Sequence, residues 1–197
     1  MTGSFRRQQL NRRYRHFNPE LADVLVRLAR SRSLSDFGAG MGLYVDYISG
    51  LGATAVGYDG TEQDNELVKV VDLSKPCRLP MTQIVMSIEV GEHIPEQFQA
   101  TFIDNLCNHA TELIVVSWAI RGQRGRDHCS CRDPDELIPL FHRRGWFVQH
   151  GETFRVRSVL SGPFSRKILL FRKTRDGYDD ESILKSFRMA RWTRFSK

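Results

Sequence analysis

The chain is 197 residues long, 41% hydrophobic and 26% charged, and carries a net charge of +6. These values are typical of a single globular domain, and they exclude transmembrane helices, because no stretch approaches the roughly 20 apolar residues that such a helix needs. With no apolar run after the first arginines and only four cysteines, we expect neither a secretory leader nor a disulfide scaffold, but a cytoplasmic protein with reduced thiols and no membrane contact.

The first predicted element is a helix that begins at Asn18, because Asn-Pro-Glu supplies an N-cap, a proline in the first turn and an acid. Strands and helices then alternate, which predicts a parallel sheet with helices on both faces. The predicted strands are residues 33–37, 53–59, 67–72, 83–88 and 112–119, and the predicted helices after the first are residues 43–50, 95–110 and 133–145.

The C-terminal part of the chain predicts two further strands, residues 146–160 and 166–172, joined around Ser161-Gly162-Pro163. Because a helix has no room between them, we expect a terminal β-hairpin that puts one antiparallel strand into the sheet. A last basic helix is predicted after Asp179. The predicted fold class is therefore an α/β domain of residues 1–197 with a seven-stranded sheet.

A glycine-rich loop follows the first predicted strand and reads Asp36-Phe37-Gly38-Ala39-Gly40-Met41-Gly42. Glycines at such a turn let the backbone approach a ligand closely. Leu43 stands where a dinucleotide fingerprint needs glycine or alanine, and the Gly-Lys-Ser/Thr of a phosphate loop is absent. The pattern resembles the first motif of class I S-adenosylmethionine-dependent methyltransferases, whose sheet is Rossmann-like. The resemblance implies S-adenosylmethionine as cofactor, with Asp36 supporting the loop and Gly38, Gly40 and Gly42 lining the cofactor.

An acid follows this loop at a fixed distance, since Asp59 ends the second predicted strand 17 residues after Gly42. A carboxylate there can accept hydrogen bonds from both hydroxyls of an adenosine ribose. The methyltransferase resemblance assigns the same role to this acid, and it places Asp72 and Leu73 beside the adenine.

The fourth predicted strand ends in Ser87-Ile88-Glu89-Val90-Gly91-Glu92-His93-Ile94. This resembles small methyltransferase-like proteins that carry Glu-Val-x-Glu-His-Ile, and the resemblance spans about residues 33–150. It implies that Ser87 contributes to the cofactor site and that Glu89 and His93 are catalytic residues that flank the acceptor. The segment 125–128 departs from the Gly-His-rich stretch of that subgroup, so the acceptor preference does not carry over.

A metal site at His128, Cys129 and Cys131 is weighed and not predicted. Zinc sites usually use Cys-x2–4-Cys pairs, whereas this set has one residue between its cysteines. The other two cysteines, Cys77 and Cys107, fall on different predicted elements.

The acceptor is predicted by elimination. A sulfonium methyl group is already activated, so its transfer is mainly a matter of positioning, and only a poor nucleophile such as a hydroxyl requires a base. The Lys-Asp-Lys-Glu set of cap 2′-hydroxyl enzymes and the Asn/Asp-Pro-Pro-aromatic turn of adenine-amine enzymes are both absent. Guanine N7 needs no base, so methylation of an mRNA cap at guanine N7 is favoured.

The charge is segregated along the chain. Residues 1–35 carry +6, residues 36–153 carry −8 and residues 154–197 carry +8. Both basic ends interleave arginine with aromatic residues, a composition expected of an RNA-contacting surface, and Arg13, Arg15 and Arg124 are predicted to contact phosphates. The alternatives are amphipathic helices that pack on the core, a small-molecule methyltransferase, and a binding module that keeps the fold without turnover.

Overall fold

The computed structural model describes residues 17–174. Helix α1 (Pro19–Ala29) begins as the sequence predicts, because the Asn18 side chain accepts a hydrogen bond of 2.7 Å from the backbone N–H of Leu21. This bond satisfies one of the N–H groups that a helix start leaves without a partner.

The remaining elements alternate along the chain. The strands are β1 (Ser33–Phe37), β2 (Thr54–Asp59), β3 (Val68–Val70), β4 (Thr82–Ile88), β5 (Ala110–Ser117), β6 (Phe147–Val148) and β7 (Leu169–Arg172). The helices are α2 (Leu43–Ser49), α3 (Glu96–His109), α4 (Pro134–His142), α5 (His150–Val159) and α6 (Phe164–Lys167), and Gly91–His93 forms a 3-10 turn.

The strands form one seven-stranded mixed sheet in the order β3-β2-β1-β4-β5-β7-β6, which confirms the predicted fold class. β1 to β5 are parallel, and β7 is antiparallel to both of its neighbours. The chain runs from β1 to β2 and β3 on one side and then crosses to β4 on the other. Open α/β sheets bind ligands at the carboxyl ends of the strands where the order reverses in this way, here between β1 and β4.

The connection between the last two strands differs from the predicted hairpin. β6 and β7 are adjacent and antiparallel, but α5 and α6 lie between them, and the predicted strand of residues 146–160 contributes only two residues to the sheet. In α5 the buried positions are His150, Thr153 and Val156, three residues apart as on one helical face. The β-branched residues of this segment favour a strand locally, and packing on the sheet overrides that preference.

Two apolar clusters cover the two faces of the sheet. One contains buried residues of α1, α2 and α5, and the other contains those of α3 and α4. Alternate residues of β5 pack on opposite faces of the sheet: Val115 belongs to the first cluster, and Ile114 and Val116 belong to the second. Among residues 17–174, no helix has both the length and the apolar character that crossing a membrane requires.

Candidate functional site

The glycine-rich loop lies at the carboxyl end of β1, where the strand order reverses. The backbone N–H groups of Gly38 and Ala39 donate to the carbonyl of Tyr58 at 2.7 and 3.0 Å. Gly38 has φ +92°, and a Cβ there would lie 2.3 Å from Cγ2 of Val90. Any other residue at position 38 would be strained and would displace Val90. The loop is therefore packed directly against the segment that follows β4.

Asp59 ends β2, as predicted, and anchors this loop. Its Oδ2 accepts a hydrogen bond of 2.8 Å from the N–H of Gly40, and its Oδ1 accepts from the N–H and the hydroxyl of Thr61 at 3.0 and 2.8 Å. A carboxylate offers about four acceptor positions. Asp59 can therefore take one further donor directly, and a second if the Thr61 hydroxyl turns away.

Asp36 is buried at the carboxyl half of β1, and its Oδ1 accepts no hydrogen bond from any described residue. Burial, and then the charge of Asp59, raises the pKa of Asp36 to about 8. The carboxyl is thus poised to become charged when a cation approaches.

The other predicted cofactor residues lie near the same edge of the sheet but have partners of their own. Asp72 is exposed, and hydrogen bonds from Ser74, together with Lys75, lower its pKa to about 2. Leu73 is buried in the apolar cluster on the α3 side. Ser87 is buried and donates its hydroxyl hydrogen bond to the carbonyl of Phe37 at 2.7 Å, which ties β4 to β1. Their contact with a cofactor, like that of the three loop glycines, stays a prediction.

Glu89 follows β4 and is held from two sides. It has φ +56°, uncommon outside glycine. Its Oε1 accepts a hydrogen bond of 2.7 Å from the hydroxyl of Ser117, and its Oε2 forms an ion pair with Lys167. The Lys167 side chain is only 3% exposed and also donates to Oε1 of Gln123 at 3.2 Å. Sequence reasoning missed Lys167 because it assigned this region to the predicted C-terminal hairpin.

Three side chains after β4 and β5 converge in a cluster that sequence reasoning did not assemble. The possible ligand atoms of Glu92, His93 and His128 all lie within 4.8 Å of one another. The Glu92 side chain is fully buried, and neither of its oxygens accepts a hydrogen bond of normal geometry from a described residue. Burial, and then the charge of Glu89, raises the pKa of Glu92 to about 7. An ionised buried carboxyl without hydrogen bonds is costly, so a cation bound at this cluster would stabilise the charged form of Glu92.

The two imidazoles are oriented by groups outside the cluster. Nδ1 of His128 lies 3.6 Å from Sγ of Cys131, whose thiol donates to the carbonyl of Gln123. Nδ1 of His93 lies 3.3 Å from the carbonyl of Asp127. We therefore assign the hydrogen of each ring to Nδ1 and the lone pair to Nε2, the tautomer in which Nε2 can bind a metal while Nδ1–H is held by a hydrogen-bond acceptor.

The metal set weighed from the sequence does not form. Cys129 is exposed and donates to the carbonyl of Glu92, while Cys131 supports His128 from behind. The chain instead offers two imidazoles and one carboxylate, a donor set that leaves open positions and suits Mn²⁺, Fe²⁺, Co²⁺ or Zn²⁺. The sequence did contain a signal for this cluster: Glu92 and His93 follow β4, and His128 follows β5, the neighbouring parallel strand.

A polar cleft of about 330 Å³ opens beside His128 and is lined by Arg121 and Arg132 among others. Arg121 pairs with Glu136, and Arg132 pairs with Glu96. Arg124, predicted to contact phosphate, lies on the same loop, is exposed and forms no ion pair with a described residue. Arg13 and Arg15 lie outside the described residues.

No protein-family model matches the chain, and the comparison with curated proteins gives no match. Solved structures do resemble it. The Burkholderia thailandensis 1,6-didemethyltoxoflavin-N1-methyltransferase, with S-adenosylhomocysteine bound, has a TM-score of 0.58 and 17% identity over 80% of this chain and 77% of its own. The sugar N-methyltransferase KedS8 from a Streptoalloteichus species has a TM-score of 0.60 and 11% identity over 78% of this chain and 87% of its own.

The small RNA methyltransferase HEN1 has a TM-score of 0.59 and 17% identity. The match covers 82% of this chain but only 26% of HEN1. At identities this low, the TM-scores show a shared fold alone: the chain has the seven-stranded α/β fold of these S-adenosylmethionine-dependent methyltransferases.

The raised pKa of Asp36 has a consequence for stability. Its pKa of about 8 in the fold exceeds the ordinary 3.8, so its contribution is fully present below about pH 4 and is lost as the pH rises through 8. We expect the free energy of unfolding to fall between pH 5 and 9. Asp36→Asn should reduce that fall by about 2–4 kcal/mol, as measured by urea denaturation across this pH range.

Glu92 titrates in the same direction, so the slope should shrink in Asp36→Asn rather than vanish. Asp64→Asn, an exposed change in the loop after β2, serves as the control and should keep the wild-type slope. Equal slopes in wild type and Asp36→Asn would contradict the prediction.

Proposed function

We propose that this protein is an S-adenosylmethionine-dependent methyltransferase that methylates a hydroxyl group of RNA. The observation that carries the proposal is the Glu92, His93 and His128 cluster, which adjoins the glycine-rich loop. The contact between Gly38 and Val90 joins the two, because Val90 lies between Glu89 and the cluster. The glycine-rich loop and three side chains that could bind a cation thus share one edge of the sheet.

The cofactor part of the proposal rests on the loop and on Asp59. Gly38, Gly40 and Gly42 would line the cofactor, Asp59 would accept from its ribose, and Asp36 would lie near its positive charge. Relatives in fold that were crystallised with S-adenosylmethionine or S-adenosylhomocysteine support this choice.

The acceptor part rests on the chemistry of the cluster. A hydroxyl is a poor nucleophile, and a bound divalent cation lowers the pKa of an oxygen ligand and orients it. Glu92, His93 and His128 would hold the cation, and its open positions would suit an acceptor oxygen. Glu89, fixed by Ser117 and Lys167, would receive the proton. The sequence favoured guanine N7 because it showed no set of residues known to methylate a hydroxyl. A cation held by the cluster would activate a hydroxyl in another way, so the elimination no longer favours guanine N7.

RNA is supported as the acceptor by the loop that carries His128. Arg124 and Arg126 are exposed on this loop, where they can reach phosphates beside the cluster. The fold is shared with a small RNA methyltransferase. Two arginines of the basic C-terminal segment make contacts within the fold instead: Arg157 donates to the carbonyl of Ile168, and Arg172 pairs with Glu152.

The role of Asp59 is tested with S-adenosylhomocysteine as the ligand. Asp59→Ala should weaken its binding by about 1–3 kcal/mol, because charged hydrogen bonds to the ribose are lost and the Gly40 N–H loses its acceptor. Isothermal titration calorimetry measures the change. Asp64→Ala removes an exposed acid from the same loop and should leave the affinity unchanged. An Asp59→Ala protein that binds as tightly as wild type would refute the ribose assignment.

The acceptor is tested by methyl transfer to a short uncapped RNA, a capped RNA and a free cap analogue, with mass analysis of the products. After dialysis against EDTA, transfer to the uncapped RNA should stop, and Mn²⁺ should restore it. His128→Ala should reduce the rate at least roughly tenfold because it removes a ligand, while the neighbouring Cys129→Ser should not.

Other outcomes would point elsewhere. Transfer to capped substrates alone, unaffected by EDTA, would restore the guanine N7 hypothesis. Transfer only to small hydroxyl compounds would indicate a small-molecule enzyme. Cofactor binding without any transfer would indicate a binding module.

Phosphate contact by Arg124 is tested through the salt dependence of RNA binding. Binding of single-stranded RNA should weaken as salt rises, and Arg124→Gln should lower the log–log slope by about 0.7, the value for one phosphate. Arg30→Gln removes an exposed charge at the end of α1, just before β1 begins, and should not change the slope. A double variant of Arg13 and Arg15 tests the N-terminal contact in the same assay.

A further inference from the structure

The chain between β3 and β4, residues 71–81, contains neither a helix nor a strand, and we call it the β3–β4 segment. Parallel strands of one sheet are usually connected through a helix, whose backbone groups bond to one another. This segment has no such internal bonds, yet its residues Val71, Cys77 and Leu79 pack on the apolar cluster on the α3 side. Buried backbone groups need hydrogen-bond partners, so other residues must supply them.

Asn105 of α3 supplies three of these bonds. Its side chain is only 3% exposed, and its Nδ2 donates to the carbonyls of Leu73 and Lys75 at 3.0 and 2.8 Å. Its Oδ1 accepts from the N–H of Cys77 at 3.2 Å. Both donors of the amide and its acceptor oxygen are thus bonded to one stretch of backbone.

His109 lies one turn further along α3 and holds the end of the segment. Its Nδ1 lies 2.6 Å from the carbonyl of Asn105, which can only accept, so the ring hydrogen is on Nδ1. Nε2 accepts from the N–H of Leu79 at 3.0 Å. The His109 ring also lies 5.6 Å from the ring of Phe37, which directly precedes Gly38. Side chains of α3 therefore contact both the β3–β4 segment and the glycine-rich loop.

The β3–β4 segment begins beside the proposed ribose acid. The N–H of Val71 donates to the carbonyl of Asp59 at 2.7 Å, and Asp72 and Leu73 follow directly. A nucleoside whose ribose hydroxyls bind Asp59 would therefore have its base close to the start of this segment. The backbone of Leu73 is held there by its hydrogen bond to Asn105.

We propose that Asn105 is a positioning residue for the cofactor, because it holds the β3–β4 segment in the conformation that receives the adenine. The inference rests on the proposed function for the place of the cofactor. It gives α3 a part in cofactor binding besides its packing on the sheet. The coupling between the segment and the cofactor must be reciprocal. Loss of the Asn105 bonds should weaken cofactor binding, and a bound cofactor should keep the segment in place.

The first direction is tested by isothermal titration calorimetry of the full chain with S-adenosylhomocysteine. Asn105→Asp keeps the size of the side chain but turns a second acceptor toward two carbonyls, and it should weaken binding on the order of tenfold. Asn108→Asp makes the same substitution at an exposed position of the same helix and should bind like wild type.

The second direction is tested by limited digestion with trypsin and mass analysis of the peptides. The segment has one site for this protease, the exposed Arg78, because Lys75 is followed by Pro76. Without ligand, the chain after Arg78 should be cut roughly tenfold faster in Asn105→Asp than in wild type. Saturating S-adenosylhomocysteine should slow this cut in wild type. Cleavage after Arg143, exposed at the end of α4, is the internal reference and should not respond to the ligand.

A milder variant keeps the test decisive if Asn105→Asp does not fold. Asn105→Ser retains one donor and an acceptor in a smaller side chain. It should weaken binding of S-adenosylhomocysteine about threefold and speed the cut after Arg78 by a similar factor, since part of the bonding is kept.

The outcomes separate this inference from the proposed function. Wild type and both Asn105 variants binding S-adenosylhomocysteine equally well would overturn the role of Asn105 alone. A cut after Arg78 that the ligand does not slow in wild type would likewise overturn it, because the bonds would then serve stability only. No binding to wild type would overturn the cofactor assignment and the inference with it. Weaker binding by the variants, together with protection of Arg78 by the ligand, supports the inference whether or not RNA is the acceptor.

Discussion

The structure depends on how four carboxyl groups are accommodated at one edge of the sheet. Asp36, Asp59, Glu89 and Glu92 all lie toward the carboxyl ends of β1, β2 and β4 or directly after them. Asp59 is satisfied by loop N–H groups and Glu89 by Lys167. Asp36 and Glu92 retain oxygens without hydrogen bonds from described residues, and their pKa values are raised. A nearby positive charge would favour the ionised forms of Asp36 and Glu92, and the sulfonium cofactor and the divalent cation of the proposed function both meet that condition.

The sequence predicted those features whose cause is local. The Gly38–Gly42 loop, the Asn18 cap and the acid at Asp59 each depend on residue types at short spacing, and their elements form where expected. α5 was missed because Thr153, Val156 and Val159 have strand preference, whereas only the sheet beneath reveals that Thr153 and Val156 share a buried face. Local preference and tertiary packing disagreed in that segment, and packing decided.

The cluster of Glu92, His93 and His128 and the ion pair of Glu89 with Lys167 could not be predicted in the same way. His128 is 35 residues beyond His93, and Lys167 is 78 residues beyond Glu89. Both meet their partners because β4, β5 and β7 are neighbours in the sheet, a fact that depends on strand order. The acidic middle of the chain, by contrast, was visible as a charge pattern. The order of the strands then explains part of this acidic pattern, because it places four of the carboxyl groups at one edge of the sheet.

Trp118 and Gln99 connect the two loops that carry the cluster. A Cβ at Gly91 would lie 2.1 Å from the Trp118 ring, so only glycine lets the turn that contains Glu92 pack on that ring. The indole N–H of Trp118 donates to the carbonyl of Ser130 at 2.8 Å, and Gln99 donates toward the carbonyls of Gly91 and Ser130 at 3.3 and 3.5 Å. One tryptophan and one glutamine thus fix the loops of His93 and His128 relative to each other. A site whose side chains are held in this way before any ligand arrives needs little reorganisation to bind a cation. The Asp59 carboxylate, in contrast, would have to release the Thr61 hydroxyl to accept from both hydroxyls of a ribose, as proposed. In the proposed function, the two halves of the site would therefore differ in preorganisation: the Glu92, His93 and His128 cluster is already assembled, whereas Asp59 would exchange a hydrogen bond when the cofactor binds.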